Sequence, residues 1–293
     1  MKIGLFGNRF NESFDAVIYH LLKRLSSRED ISISIHKAFA EILVHEKKYA
    51  FQFKEYFTSS SDLPKNLDFL ISIGGDGTFL ESVTLVRDSG IPIVGFNSGR
   101  LGFLANISSN DIDNAIKELL NRNYILEPRS LVGLYCNECL FGDFAFALNE
   151  LTIQKTSSSL ITIHTYINDI FLNSYWTDGL IIATPTGSTA YSLSVGGPIV
   201  TPDSRNFIIS PIAPHNLNVR PIIIPDTSIL KLKVEGRTSN YNLTMDSRSA
   251  IIEIGTEITI KKSPFQINLI KLESIEFFST LRNKLMWGAD KRN

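Results

Sequence analysis

The sequence lacks the features that would direct this chain to a membrane, to nucleic acid or to a structural metal. Its 293 residues include only two cysteines and five histidines, and its formal net charge is −1 at pH 7. A charge this close to zero creates no general attraction for nucleic acid or anionic lipid, so an anionic ligand must be held by local charges and backbone amides. No apolar run approaches the ~18 residues of a membrane-spanning helix, and the first residues show no signal-peptide pattern. We therefore expect a soluble, cytoplasmic protein that binds neither nucleic acid nor membrane.

The two cysteines, Cys136 and Cys139, form a single C-x-x-C. A tetrahedral zinc site would need two further ligands, and no H-E-x-x-H or similar histidine pair supplies them. We interpret this stretch as a turn between two strands with reduced thiols, with metal or redox use as the alternative. No metal ion held by protein side chains alone is expected.

Common nucleotide and hydrolase motifs are missing as well. No G-x-x-x-x-G-K-[ST] occurs, and the Gly75-Asp76-Gly77 run lacks the third glycine of a dinucleotide fingerprint. The hydroxyl-rich residues 184–194 do not have the G-x-S-x-G spacing of a serine hydrolase. Any phosphate must be handled by another arrangement.

Strand-like and helix-like runs alternate at the start of the chain. The predicted strands are residues 2–7, 31–35, 68–73 and 91–96, and helical spacing marks residues 13–25, 38–44, 79–86 and 112–120. This alternation predicts an α/β domain with a parallel sheet covered on both faces. Later runs are short, strand-like and split by Gly, Asn, Pro and Ser, which predicts a mostly β, sandwich-like domain. These predicted strands are residues 145–153, 160–167, 180–183, 222–224, 229–234, 251–254 and 266–270. We place the α/β domain at residues 1–105, joined by the C-terminal segment 275–293, and the β-rich domain at residues 106–274.

A glycine-rich turn follows the predicted strand at residues 68–73. Gly74, Gly75 and Gly77 let the backbone turn sharply at the start of a helix. Free amides and the positive end of the helix dipole favour a phosphate there. Asp76 is unexpected, because a carboxylate repels phosphate unless it binds a metal ion or takes a proton from a reacting hydroxyl. It is a candidate catalytic group, and the alternative is a turn aspartate that satisfies local amides.

Residues 176–198 contain the densest cluster of functional groups in the chain. A buried strand leads into a turn whose hydroxyls, exposed amides and single tyrosine can hydrogen-bond to a base or ribose and cover a ring. The alternative is that the hydroxyls are N-caps and ST-turns that stabilise the turn itself.

Five blocks of residues together resemble the NAD kinases, which phosphorylate the adenosine 2′-hydroxyl of NAD to make NADP. The blocks are Gly74-Gly75-Asp76-Gly77-Thr78, Asn97 with residues 99–104, Asn149-Glu150, residues 178–198 and residues 214–221. They occur in the family order and cover most of residues 70–225. The first block is shared with lipid kinases, whereas residues 184–194 are highly specific.

The resemblance implies ATP as phosphoryl donor, Mg²⁺ arriving with ATP, and Asp76 as the general base on the 2′-hydroxyl. ATP and its phosphates would be bound by Gly74, Gly75, Gly77, Thr78, Asn97 and Arg100. NAD would be bound by Asp76, Gly77, Asn149, Glu150, Trp176, Asp178, Thr186, Thr189, Ala190, Tyr191, Ser192, Leu193, Ser194, Ala213 and Arg248. The family also implies a homodimer or homotetramer in which a neighbouring subunit completes the site.

Some positions depart from the family pattern. Trp176 stands where a smaller or basic residue is expected, Arg248 stands where glutamine is common, and residues 157–160 lack the basic or imidazole group of many relatives. Arg100 and Arg248 can fork onto phosphate, with a surface ion pair as the alternative. These departures bear on the contacts to NAD and on the preference between NAD and NADH.

Two other functions share part of this pattern. A lipid kinase would have the same glycine turn, but the hydroxyl-rich turn and Asn149-Glu150 suit a nucleoside better than an acyl chain. A non-catalytic dinucleotide sensor would bind NAD without transferring phosphate, and Asp76 in its glycine setting argues against it.

Overall fold

The fold was obtained as a computed structural model that describes residues 1–8, 10, 14–99, 102–108, 111–136 and 140–287. The chain divides into two units: residues 1–128 with 267–293 form the first, and residues 129–266 form the second. Among the described residues, no helix has both the length and the apolar character needed to cross a bilayer.

The elements before residue 136 alternate between strand and helix except at β3 and β4, which follow one another. In chain order they are β1 (Lys2–Gly7), α1 (Asp15–Ser26), β2 (Ser32–His36), α2 (Lys37–Glu41), β3 (Glu55–Phe57), β4 (Phe69–Gly74), α3 (Asp76–Val86), β5 (Ile93–Asn97), α4 (Ile112–Asn121) and β6 (Tyr124–Tyr135). A π-helical segment, Ile42–Glu46, continues α2.

The remaining elements are mostly strands. They are β7 (Phe146–Ala147), β8 (Glu150–Lys155), β9 (Ile161–Ile167), β10 (Ile170–Thr177), β11 (Gly179–Ala183), α5 (Tyr191–Ser194), β12 (Asn206–Ile212), β13 (Ile222–Pro225), β14 (Leu230–Gly236), β15 (Asn240–Met245), β16 (Arg248–Glu253), β17 (Glu257–Leu272) and α6 (Phe277–Leu285). A short 3-10 helix, Thr186–Thr189, precedes α5.

The first unit is built on a parallel sheet with the strand order β3-β2-β1-β4-β5. Phe69, Ile71 and Ile73 of β4 pack into one core with α1 and α4, while α3 packs on β4 and β5 outside that core. Leu269 of β17 pairs parallel with Ile93 at the β5 edge. The predicted α/β domain is confirmed.

The strand order reverses between β1 and β4, because β1 connects through α1 to β2 on one side and β4 connects through α3 to β5 on the other. In open parallel sheets, ligands bind at such a switch point, outside the carboxyl ends of the strands. The ends of β1 and β4, at Gly7 and Gly74, lie side by side. The glycine-rich turn therefore occupies the position in the sheet where a ligand is most expected.

The second unit is a β-sandwich. One antiparallel sheet has the order β13-β12-β11-β8-β15-β16. The other contains β10-β9-β14 and the first part of β17. Inward-facing residues of both sheets, such as Leu151 and Ile153 of β8 and Leu230 and Leu232 of β14, share one core. The predicted mostly β domain is confirmed.

A third layer covers the outer face of the first of these sheets. Ile181 and Ala183 of β11 and Ile208 of β12 form a small buried cluster with Val195 and Val200. This packing fixes the hydroxyl-rich segment that follows β11.

The division between the units differs from the predicted boundaries at residues 105/106 and 274/275. The units divide at 128/129 and 266/267. Buried residues of α4, among them Ile112 and Leu119, belong to the core of the first unit, as do Ile270 and Leu272 at the end of β17. The composition of the chain changes near α4, but the chain leaves the core of the first unit only after α4.

Several strands were not predicted. β3, β6, β10, β12 and β15 fall outside the expected runs, and residues 266–270 are only the end of the long strand β17. β12 contains Pro211, which argues against a strand, yet Pro211 pairs opposite Leu180 of β11.

Candidate functional site

The glycine-rich turn leaves open space at the start of α3. Among the residues that the structure describes, a Cβ atom at Gly75 or at Gly77 would meet nothing within 4 Å, and no side chain caps the helix. At Gly74, by contrast, a Cβ would collide with the side chain of Thr78, whose own Cβ would be 2.6 Å away. The first glycine is therefore required by packing, whereas the other two leave the amides at the start of α3 accessible to a ligand.

The carboxylate of Asp76 is held by a loop from elsewhere in the sequence. Its Oδ2 accepts the N–H of Phe103 at 2.9 Å, and its Oδ1 accepts the N–H groups of Leu104 at 3.0 Å and Ala105 at 2.9 Å. A Cβ at Gly102 would overlap Oδ1 and lie 2.7 Å from Cγ. Asp76 does satisfy backbone amides, but they are not the local amides of a turn aspartate.

Asn97, at the end of β5, shapes the same loop. Its side chain is 3% exposed, its Oδ1 accepts the N–H of Gly99 at 2.7 Å, and its Nδ2 donates to the carbonyl of Ala105 at 3.1 Å. The side chain predicted to bind phosphate is thus engaged in holding the backbone at Gly99 and Ala105 near the end of β5. Arg100, also predicted as a phosphate ligand, lies outside the described residues.

Two further polar residues adjoin this turn and were missed from the sequence. Asn8, just after β1, donates through Nδ2 to Oε2 of Glu81 at 3.0 Å. Lys284, in α6, brings its Nζ to 3.6 Å from Oδ2 of Asp76. No local pattern links either residue to the turn, and the sequence predicted only that the segment 275–293 joins the first domain.

In the second unit, Asp246 organises Asn149 and Glu150 at the start of β8. Its Oδ2 accepts the N–H of Leu148 at 2.8 Å, and its Oδ1 accepts those of Asn149 at 2.8 Å and Glu150 at 3.3 Å. Asp246 itself adopts a left-handed conformation with φ of 51° in the turn between β15 and β16. Sequence reasoning missed this residue, because a turn aspartate between two strands is ordinary.

The Glu150 carboxyl is protonated at neutral pH. Burial raises its pKa to about 8, and the nearby Asp246 carboxylate adds to the shift. Its buried Oε2 has no hydrogen-bond partner in the part of the chain that the structure describes. Burial also raises the pKa of the Asp246 carboxyl, while its three backbone N–H donors act in the opposite direction. Glu150 can therefore donate a hydrogen bond to a ligand, which a carboxylate cannot do.

Buried hydroxyls of the segment after β11 stabilise the segment itself. Thr184 donates to the carbonyl of Leu148 at 2.5 Å and accepts the N–H of Gly187 at 3.1 Å. Ser192 shares a hydrogen bond of 3.1 Å with Ser210. Of these contacts, only that between Thr184 and Gly187 is the local kind an ST-turn makes, and the others join the segment to β12 and to the residue before Asn149.

The other residues of the segment range from buried, such as Thr186 at 7% exposed, to exposed. Thr189 donates to the carbonyl of Thr186 at 3.2 Å, and the Thr186 hydroxyl accepts a long, 3.4 Å hydrogen bond from Arg129. Tyr191 is 36% exposed, and its hydroxyl accepts from Nε2 of Gln154 at 2.9 Å. Ala190 and Leu193 are half-buried and Ser194 is exposed. Tyr191 presents the aromatic face that the sequence predicted for this turn.

Trp176, Asp178 and Ala213 are brought together by the pairing around β11 and β12. The Trp176 ring is 51% exposed and lies 4.7 Å from the ring of His215. Asp178 forms an ion pair of 2.5 Å with Lys155. Ala213 has a φ of 45°, a left-handed conformation that costs a non-glycine residue about 1 kcal/mol or more. These residues form an exposed edge with an aromatic face and a strained turn, features that suit a ligand-binding surface.

The Arg248 side chain interacts with other groups of the protein. Its guanidinium donates to the carbonyl oxygens of Phe144, at 2.5 Å, and Phe146. The Cζ atom also lies 5.1 Å from the centre of the Phe144 ring. A direct contact between this guanidinium and NAD would require some of these interactions to break.

Cys136 is half-buried and packs against the core of the sandwich, and Cys139 lies outside the described residues. The structure therefore does not test the C-x-x-C. In the described ranges, no group of three or more His, Cys, Asp or Glu side chains is arranged to hold a metal ion.

Models of two protein domains match the chain. The ATP-NAD kinase N-terminal domain matches residues 3–124, and the ATP-NAD kinase C-terminal domain matches residues 148–272. The chain is 49% identical over 296 residues to the NAD kinase of Flavobacterium psychrophilum, and 47% identical over 294 residues to that of Cytophaga hutchinsonii. In both comparisons, 100% of each chain is covered.

Two solved structures have a similar fold. Yeast NADH kinase complexed with NADH superposes with a TM-score of 0.86 at 23% identity, covering 100% of this chain and 89% of that one. An NAD kinase from Archaeoglobus fulgidus in complex with ATP gives a TM-score of 0.72 at 24% identity, covering 98% and 99%. At these identities the likeness concerns the fold.

Proposed function

This chain belongs to the NAD kinase family, and from that premise we propose that it transfers the γ-phosphoryl group of ATP to the adenosine 2′-hydroxyl of NAD, with Asp76 as general base. The observation that carries the proposal is the juxtaposition of Asp76 with the open amides at the start of α3. A phosphate site that contains a fixed carboxylate suits the removal of a proton from an attacking hydroxyl.

The phosphates of ATP would bind at the glycine-rich turn. The amides around Gly75 and Gly77 and the dipole of α3 supply positive potential there, and Gly74 and Thr78 fix the turn. Asn97, and Arg100 with it, would act on the neighbouring loop and phosphates. Mg²⁺ bound to ATP neutralises charge on the transferring group. Because the described residues contain no cluster of metal ligands, most ligands of the ion would be phosphate oxygens and water.

Asp76 has the hydrogen-bonding capacity that a base needs. From the described residues, its Oδ1 accepts two N–H groups and its Oδ2 accepts one, which leaves Oδ2 a lone pair for the proton. As the 2′-oxygen bonds to the γ-phosphorus, the bond to the bridging oxygen of ADP breaks, and Oδ2 accepts the hydroxyl proton. The loop amides hold the carboxylate in one orientation through this step.

Within the second unit, NAD would be bound by the residues named there from the sequence. Glu150, protonated, would donate to a ring nitrogen or hydroxyl, with Asn149 beside it. Trp176 and Tyr191 offer aromatic faces, and Asp178 and Ala213 adjoin Trp176. Thr186, Thr189, Ala190, Ser192, Leu193 and Ser194 would contribute through the shape of their turn. Arg248 would act by holding the backbone at Phe144 and Phe146.

The resemblance also predicts a homodimer or homotetramer with a shared site, in the cytoplasm. Light scattering on the purified chain, with and without NAD, measures the assembly size, and cell fractionation tests the compartment.

A radiolabelled-ATP assay tests the reaction. The protein is given ATP and Mg²⁺ with NAD, with NADH or with diacylglycerol in vesicles, and NADP is measured with an NADP-specific dehydrogenase. We expect label in NADP and none in lipid. Label in lipid would favour a lipid kinase, and NAD binding without transfer would overturn the kinase proposal. The exposed Asp203→Asn variant is a matched control for Asp76→Asn.

A further inference from the structure

Lys284 is a cation delivered to the glycine-rich turn by the last described helix. Its Nζ lies 3.6 Å from Oδ2 of Asp76, and the two side chains are 33% and 31% exposed. The distance is that of an ion pair rather than a close hydrogen bond, so the ammonium remains able to interact with a second anion.

Phe103 contacts both Lys284, through its ring, and Asp76, through its backbone N–H. The Lys284 Nζ lies 4.5 Å from the centre of the Phe103 ring, within the range of a cation–π interaction. The backbone N–H of Phe103 donates to the same Asp76 oxygen that faces Lys284. One loop residue therefore positions both the cation and the carboxylate.

The helix that carries Lys284 is anchored in the first unit. Leu281 and Thr280 are 4% and 7% exposed, and Leu272, five residues before α6, lies in the core of that unit. Lys284 is also in the last turn of α6, where a cation interacts favourably with the helix dipole. The position of the Lys284 ammonium is thus set by the packing of α6, through residues other than Lys284 itself.

A carboxylate at the start of α3 opposes the binding of a polyphosphate, because like charges repel across a short distance in a partly desolvated site. We propose that Lys284 is a positioning residue of this site, whose ammonium offsets the charge of Asp76 so that the phosphates of ATP can approach the glycine-rich turn. That the anion is ATP rests on the proposed function, whereas the contact between Lys284 and Asp76 does not depend on it.

Three variants separate charge from packing. Lys284→Met keeps the apolar stem and removes the charge, and Lys284→Arg keeps the charge. Arg282→Gln removes a cation two residues away on the same helix, and residues with this spacing lie on different faces of a helix. For each variant, calorimetry measures the Kd for inorganic triphosphate with Mg²⁺, kinetics give KM for ATP and for NAD, and the Tm reports folding.

For Lys284→Met we expect the Kd for triphosphate and the KM for ATP to rise about tenfold, with KM for NAD within about twofold of wild type. Lys284→Arg should recover most of the loss, and Arg282→Gln should match wild type. The difference between wild type and Lys284→Met should shrink as salt is raised from about 0.05 to 0.5 M, because salt screens charge.

Unchanged triphosphate binding by a folded Lys284→Met would overturn the inference, and so would equal losses for ATP and NAD together with a lower Tm, which indicate packing alone. If Lys284→Met does not fold, Lys284→Gln is measured in the same way. Absence of NADP formation by the wild type would refute the proposed function, whereas the triphosphate measurements would still decide the role of Lys284.

Discussion

Asp76 and Asp246 use the same hydrogen-bonding pattern in two different settings. Each carboxyl accepts three consecutive backbone N–H groups, from residues 103–105 in the first unit and from residues 148–150 in the second. Asp76 is partly exposed beside Lys284, whereas burial raises the pKa of Asp246 and its carboxyl lies near Glu150. Three amide donors therefore fix a carboxyl group in either case, and its exposure and neighbours decide what else it can do.

The comparison suggests a division of roles. Asp76 keeps an accessible oxygen at an open helix start, so we propose that its orientation serves proton transfer. Asp246 is turned inward, so its orientation serves the backbone of Asn149 and Glu150. Substituting each aspartate by asparagine, which keeps the size of the side chain, should affect activity in the first case and stability in the second.

Asp76→Asn should have the largest effect. Without a base, kcat should fall about 10²- to 10⁴-fold, equivalent to ~3–5 kcal/mol, with a smaller change in NAD binding. Coupled measurement of NADP formation gives kcat, and the Tm checks folding. A variant that retained more than half of wild-type turnover would rule out the base role.

Asp246→Asn should mainly reduce stability. The amide keeps one acceptor oxygen but turns an NH₂ group toward N–H donors, which should cost about 2–3 kcal/mol of unfolding free energy. A severalfold rise in KM for NAD should accompany it, because residues 148–150 lose their anchor. Urea unfolding and steady-state kinetics measure both, with the exposed Asp203→Asn as control. If Asp246→Asn lost kcat while its unfolding free energy stayed unchanged, the proposed difference between the roles of Asp76 and Asp246 would be wrong.

Glu150→Gln should change how stability depends on pH. The folded pKa of about 8 lies above the ordinary value of 4.5, so between these pH values the folded state retains a proton that the unfolded state has lost. Wild-type stability should therefore decline as pH rises through this window, with a slope of at most about 1.4 kcal/mol per pH unit, and the decline should be weaker in the variant. Unfolding at pH 5, 6, 7 and 8 measures the difference. Parallel pH profiles for the two proteins would contradict a protonated Glu150.

Gly102→Ala should have the smallest effect. The added Cβ would overlap Oδ1 of Asp76, so the loop must shift and loosen the carboxylate. We expect kcat to fall about tenfold, or ~1.4 kcal/mol. Within the described part of the chain, a Cβ at Gly99 in the same loop would meet nothing within 4 Å, and Gly99→Ala should lose less than about threefold in kcat. Equal losses in the two variants would mean that the carboxylate contact is not the cause.

Much of the first unit was predictable because its signals are local. Helical spacing and buried strand runs depend on neighbouring residues, and β1, α1, β4, α3 and α4 lie close to their predicted positions. β12 was missed because Pro211 is a poor strand residue by local rules, and its pairing with Leu180 depends on a strand from another part of the chain.

The hydroxyl-rich segment marks the limit of sequence reasoning about the site. From the sequence, its hydroxyls suited either a ligand or the turn itself. The structure pairs Ser192 with Ser210 and Thr184 with the carbonyl of Leu148, so those groups are already used. The same residue types satisfy both interpretations, and only their partners distinguish them.

The sequence by itself determined the glycine-rich turn with its aspartate, the alternation that produces a parallel sheet, and the similarity of the motifs to one enzyme family. These follow from backbone freedom, side-chain periodicity and residue order, all of which are local or directly readable. Only the tertiary structure decided which amides hold Asp76, that Asp246 anchors Asn149 and Glu150, and that Lys284 reaches Asp76 from α6. Such contacts join residues far apart in the chain, and their formation depends on strand order and helix packing that no single stretch of sequence contains.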